Sequence, residues 1–141
     1  MDLSSINWLA ILIATMVSFV SAFNWFSEKA FFPMWWKAMK KGPTEQPGDG
    51  QNMGVTFALS TLATLTQAVT LALLIDVVAQ ATGDISVATG ALTGLVVGLA
   101  VASAALGHRL FAGHGIKVWL IEVSNDLINF VLMGLVFSFY Y

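Results

Sequence analysis

The run IKVWLIEVSNDLINFVLMGLVFSF, from Ile116 to Phe139, decides the fold. Crossing ~30 Å of hydrocarbon takes ~20 mainly apolar residues in helical form, and this run meets that length. It lacks the strict in-out alternation of a barrel strand, and a helix satisfies every backbone group within its own segment. It therefore predicts a transmembrane helix. Working toward the N-terminus, three more runs of the same kind appear: Ser86 to Leu106, Met53 to Ala79, and Ile6 to Phe26. The second of the four spans is rich in threonine. Thr56, Thr61, Thr64, Thr66 and Thr70 can each bond to a carbonyl one turn earlier, which makes them tolerable in lipid.

Composition agrees. Of 141 residues, 57% are hydrophobic and only 10% are charged, against ~25% charged in a soluble domain. Lipid takes the place of the missing polar solvent, and the mean hydropathy of +0.80 points the same way. A net charge of -2 and six basic residues argue against nucleic-acid binding. The sequence has no cysteine, which excludes disulfides, thiolate catalysis and cysteine-ligated zinc or iron–sulfur sites. The opening Met1-Asp2-Leu3-Ser4-Ser5 lacks the positive n-region of a secretory signal, so the first run is expected to be a retained span.

The basic residues give a direction. Lys29, Lys37, Lys40 and Lys41 lie between spans one and two, and Arg109 and Lys117 between spans three and four. The N-terminal tail, the loop Thr82-Gly83-Asp84-Ile85 and the C-terminus contain none. Basic residues concentrate on the cytoplasmic side, which predicts both termini outside. The expectation is an all-α integral membrane protein of the inner (plasma) membrane. It forms a single four-helix domain over residues 1–141, oriented N-out/C-out. Asp76 and Asp84 then flank the outer surface in contact with water.

Between the first two spans, Pro33 starts and Gly42 ends a short helix over 33–41. Phe32, Trp35, Trp36 and Met39 share one face of it, while Lys37, Lys40 and Lys41 point the other way. This predicts an interfacial helix on the anionic inner leaflet, acting as an aromatic and basic anchor or, more ambitiously, as a lipid sensor. Membrane lipids are the expected partner.

The residues that bear on chemistry lie in the fourth span. Glu122, Asn125, Asp126 and Asn129 fall within roughly 100° of one helical face. Asp126 sits ~13 Å past Lys117, near the midplane, where a charge costs at least ~2.5–3.5 kcal/mol. These side chains must turn toward partners or water; Asn7, Asn24, Gln67, His108 and Arg109 are the candidates. One reading is a proton- or cation-binding site, and the other is a polar seam fastening neighbouring helices. No nucleophile or oxyanion donor accompanies the acids, so the expectation is a protein that is not an enzyme. Gly90, Gly94, Gly98 and Ala102, four apart on span three, predict a face that admits another helix to backbone contact, within the bundle or in a homodimer. His108 and His114 have no carboxylate or cysteine at ligand spacing, so no metal is expected.

The opening Ile6-Asn7-Trp8-Leu9-Ala10, the cluster of Trp25, Phe31, Phe32 and Trp35, the Leu110-Phe111 pair and the polar-studded last span together resemble the bacterial family catalogued as domain of unknown function 1761. The likeness runs over nearly the whole chain. It implies a small four-helix membrane protein and carries no assigned reaction, cofactor or binding residue. One departure is Pro33, where the family tends to have glycine within the aromatic cluster. The expected role is a structural or accessory subunit of a membrane assembly, joined to itself or to other subunits through the glycine face. The alternatives are a small proton- or cation-coupled transporter or channel working through the acidic face of span four, and a binder of a lipid, quinone or pigment.

Overall fold

The computed structural model describes residues 6–83 and 86–140. They form five helices: α1 (Trp8–Trp25), α2 (Phe32–Ala38), α3 (Met53–Thr82), α4 (Val87–Phe111) and α5 (Gly115–Tyr140). There is no strand among the described residues. Four of the helices, all but α2, are long and apolar enough to cross a membrane. The tail 1–5, the pair 84–85 and residue 141 lie outside the described residues, and with them the solvated position expected for Asp84.

Local sequence sets the helix starts. Asn7 Oδ1 accepts from the Ala10 N–H at 3.1 Å, Asn52 Oδ1 from Val55 at 3.2 Å and Ser86 Oγ from Thr89 at 3.2 Å. Each cap satisfies one amide that the first helical turn leaves without a partner. α3 stops at Gly83, whose φ of 68° is left-handed. The five threonines of α3 donate to carbonyls one turn back, at 2.8–3.1 Å, as the sequence predicts.

α4 and α5 form an antiparallel hairpin whose connection passes through Gly113 and Gly115, both at positive φ. The seam between them is glycine against backbone. A Cβ added at Gly94 would collide with the Phe130 carbonyl oxygen, and one at Gly90 with that of Gly134. A Cβ at Gly134 would in turn collide with the Gly90 carbonyl oxygen. The face of Gly90, Gly94, Gly98 and Ala102 is therefore buried inside the bundle. Within the chain it is α5 that packs on this face.

α1 runs antiparallel to α5, its Trp25 indole N–H donating to the Ile121 carbonyl at 3.0 Å. The apolar core gathers Ile11 and Ala14 of α1, Leu71 and Ile75 of α3, and Met133 and Phe137 of α5. Every α3 residue in this core comes from its second half: Ala68, Leu71, Ala72 and Ile75 are buried, whereas residues 53–60 are exposed throughout. Toward the end that carries α2 and the basic residues, positions 53–60 of α3 contribute nothing to this core.

Two expectations need correction. The short helix covers Phe32–Ala38 rather than 33–41, because the chain turns back at Lys40 (φ 61°). That turn is closed by the Trp36 indole donating to the Gly42 carbonyl at 3.2 Å. α4 continues to Phe111 rather than stopping at Leu106. Arg109 thereby leaves the expected loop and enters the last helical turn, where a cation is favoured by the helix dipole.

Candidate functional site

At the basic end α5 carries a polar face built at one-turn intervals. Trp119, Glu122 and Asp126 line a cavity of about 260 Å³ together with Phe26 from the end of α1 and Ala105 and Arg109 from α4. The Trp119 indole is fixed by donating to the Ala102 carbonyl at 2.9 Å. That contact crosses the α4–α5 seam where the glycine face ends.

Arg109 is held from two sides. Its Nε lies 2.6 Å from Glu122 Oε2, and its Nη1 lies 3.4 Å from His114 Nδ1. The Arg109 side chain is 39% exposed and that of Glu122 only 17%. The second oxygen of Glu122 accepts the Trp35 indole N–H at 3.0 Å. Glu122 thus has a cation on one oxygen and a neutral donor on the other, an arrangement that satisfies a largely buried acceptor-only group. α2 is consequently more than a lipid anchor. Its Trp35 reaches the start of α5 and rests against Phe26, ring centroids 5.1 Å apart. Phe32 and Trp36 stack on each other at 5.4 Å, and Lys41 Nζ lies 6.0 Å from the Trp36 ring. Lys37 remains in the last turn of α2.

A second cavity, of about 300 Å³, lies on the other side of the ion pair, walled by Trp35, Trp36, Met39, Lys41 and the 45–51 loop. Arg109 and Glu122 belong to the walls of both cavities. The ion pair therefore stands between an outer chamber at the basic end and an inner chamber that reaches Asp126.

Beyond Asp126 the polar track continues along the α1–α5 seam. Asn125 and Ser18 are buried, and Ser18 Oγ, Asn125 Oδ1 and Asn129 Oδ1 have no hydrogen-bond partner. Ser18 lies two helical turns before Trp25, or ~10.5 Å. Asn125 and Asn129 lie one turn, ~6 Å, apart along α5. A buried acceptor without a donor costs ~1–3 kcal/mol.

Of the partners foreseen for the α5 acids, Arg109 alone is in place. Asn7 caps α1 at the opposite end, Asn24 bonds to the Val20 carbonyl, and Gln67 and His108 are exposed. No group of three or more potential metal ligands occurs among the described residues. Trp119 and Phe26 are site residues that sequence reading does not single out, and it gives Trp35 only as an anchor. A signal for Trp119 exists, since it lies one turn before Glu122 on the face of the two acids. Trp35 offers none, being 87 residues away from Glu122.

Among known proteins, the family model described as Protein of unknown function (DUF1761) matches residues 9–138. No curated protein and no solved structure gives a significant match.

Proposed function

The chain belongs to the DUF1761 family of proteins of unknown function, and from that premise we propose that it is a small proton- or cation-coupled membrane transporter working through the polar face of α5. One observation carries this reading. The inner cavity holds two carboxylates, Glu122 and Asp126, and one cation, Arg109, whose guanidinium is paired to Glu122. Asp126 is left as a net negative charge in a chamber cut into an apolar bundle. Such a group attracts a proton or a cation, and intramembrane acids facing a cavity are the parts from which ion and proton pathways are made. The unpartnered oxygens of Asn125, Asn129 and Ser18 extend acceptors further along the same seam.

In this reading the protein catalyses no covalent reaction. It sits in the inner (plasma) membrane with both termini outside and α2 on the cytoplasmic face, following the basic residues. Because the chain has no cysteine, single cysteines at Asp49 and Tyr140 report sidedness cleanly. Asp49→Cys labels from the cytoplasmic side and Tyr140→Cys from the outside; the reverse pattern overturns the orientation. For activity, vesicles containing the protein and an internal pH dye acidify under an imposed gradient. Asp126→Asn abolishes that flux, and an unchanged flux in this variant sinks the proposal.

The accessory-subunit reading retains one observation. The first half of α3 presents Val55, Phe57, Leu59 and Leu62, all exposed, to lipid or to another subunit. A monodisperse monomer in mild detergent and in native lipid, with nothing co-purifying, removes it.

A further inference from the structure

We infer that the ligand of this site is a lipophilic organic cation, a positively charged centre carrying bulky apolar groups; the inference rests on the transport reading above and names its substrate class. Phe26 forms part of the polar inner chamber and also part of a second, apolar cavity of about 240 Å³ between α1 and α3, lined by Phe19, Phe23, Phe57, Thr56 and Ser60. Phe26 is thus a wall common to the two cavities, which lie on either side of it. The apolar one is a wedge on a surface whose helices are apolar enough to face lipid.

The chemistry of the two parts selects the occupant. Around the inner chamber two carboxylates face one guanidinium, and that guanidinium lies 2.6 Å from Glu122, so the field at Asp126 favours positive charge. The wedge supplies four phenylalanine rings. These remove apolar groups from contact with water, and their faces attract a cation. A small hydrated metal ion has no use for the wedge, and a neutral lipid tail has none for Asp126. A molecule with both characters fits both parts, and its lipid solubility brings it to the wedge from within the bilayer. On the far side of the Arg109–Glu122 pair, the outer chamber offers a way toward water at the basic end.

Radiolabelled tetraphenylphosphonium and the anion tetraphenylborate, of like size and opposite charge, are the probes, with the purified protein in lipid nanodiscs. Tetraphenylphosphonium binds saturably, at least ~10-fold more tightly than tetramethylammonium, which has the charge without the apolar bulk; tetraphenylborate shows no saturable binding. A tenfold change is ~1.4 kcal/mol. Asp126→Asn lowers tetraphenylphosphonium affinity at least ~10-fold while Asp126→Glu keeps it, and Phe57→Ala, at an exposed position that the fold does not need, lowers it several-fold. Equal binding of the two tetraphenyl ions, undiminished binding in Asp126→Asn, or no saturable binding to the wild type overturns the inference. The vesicle flux assay separates the two proposals. Proton flux that requires Asp126, without tetraphenylphosphonium binding, refutes the substrate class and leaves the coupled site standing. Binding that requires Asp126, without flux of either species, refutes transport and leaves a binding site.

Discussion

The two halves of α5 are made of the same helix and do opposite things. From Phe130 to Phe137 it is enclosed by α1, α3 and α4, with Phe130, Met133, Gly134 and Phe137 buried. From Trp119 to Asp126 the neighbours are α1, α4 and α2, whose Trp35 reaches Glu122, and a tryptophan and two acids line a cavity there. Packing in the C-terminal half is backbone against backbone, and no space is left for chemistry. In the N-terminal half Val118, Ile121 and Val123 are also buried, and beside them lies a cavity where charge can reside. The difference teaches that the tight glycine seam holds the bundle together, while under the transport proposal the end with the cavity is the working part.

That contrast can be broken at the seam with the largest expected effect. Gly94→Val places a side chain against the Phe130 carbonyl, which cannot move without bending α5. The loss should be about 3 kcal/mol or more in unfolding from detergent. Unchanged stability would mean that the helices are not at backbone contact. Gly98→Ala is the milder comparison, at about 1 kcal/mol or less, because the nearest atom there is the mobile Leu127 Cδ2 at 3.1 Å.

At the working end, Arg109→Gln leaves Glu122 without its cation. Breaking a fully buried pair costs roughly 3–5 kcal/mol; with Arg109 39% exposed, about 2 kcal/mol is expected by chemical denaturation. The double variant Arg109→Gln with Glu122→Gln should recover most of it, and a double variant no better than the single one would show that the two groups are not coupled. Trp35→Phe removes one donor to Glu122 and should cost about 1 kcal/mol. The same substitution in a Glu122→Gln background should cost less. Smallest of all, Leu62→Ala on the exposed half of α3 should change stability by no more than ~0.5 kcal/mol. A larger, concentration-dependent loss would reveal a partner covering that face and return weight to the subunit reading.

Much of this was legible along the chain because it depends on near neighbours. Asn7, Asn52 and Ser86 announce helix starts through amides three residues on, and the threonines of α3 find their carbonyls four residues back. The four-residue spacing of Gly90, Gly94 and Gly98 marks a close-approach face, although not the helix that fills it. The polar face of α5 was readable from helical period alone. Arg109 stood among five possible partners, and spacing could not choose among them. Trp35 was read as a lipid anchor, since nothing local links it to an acid in the last helix.

The sequence by itself determined four apolar helices, the basic end they share, and the stripe of acids and amides that lipid will not tolerate, because each is set by transfer free energy and helical period within one segment. The tertiary structure alone decided that α5 packs on the glycine face, that Arg109 pairs with Glu122 while Asp126 does not, and that α3 joins the core only through its second half. Those outcomes depend on which surfaces meet across the bundle, and a property of single segments cannot specify which part of one helix meets the others.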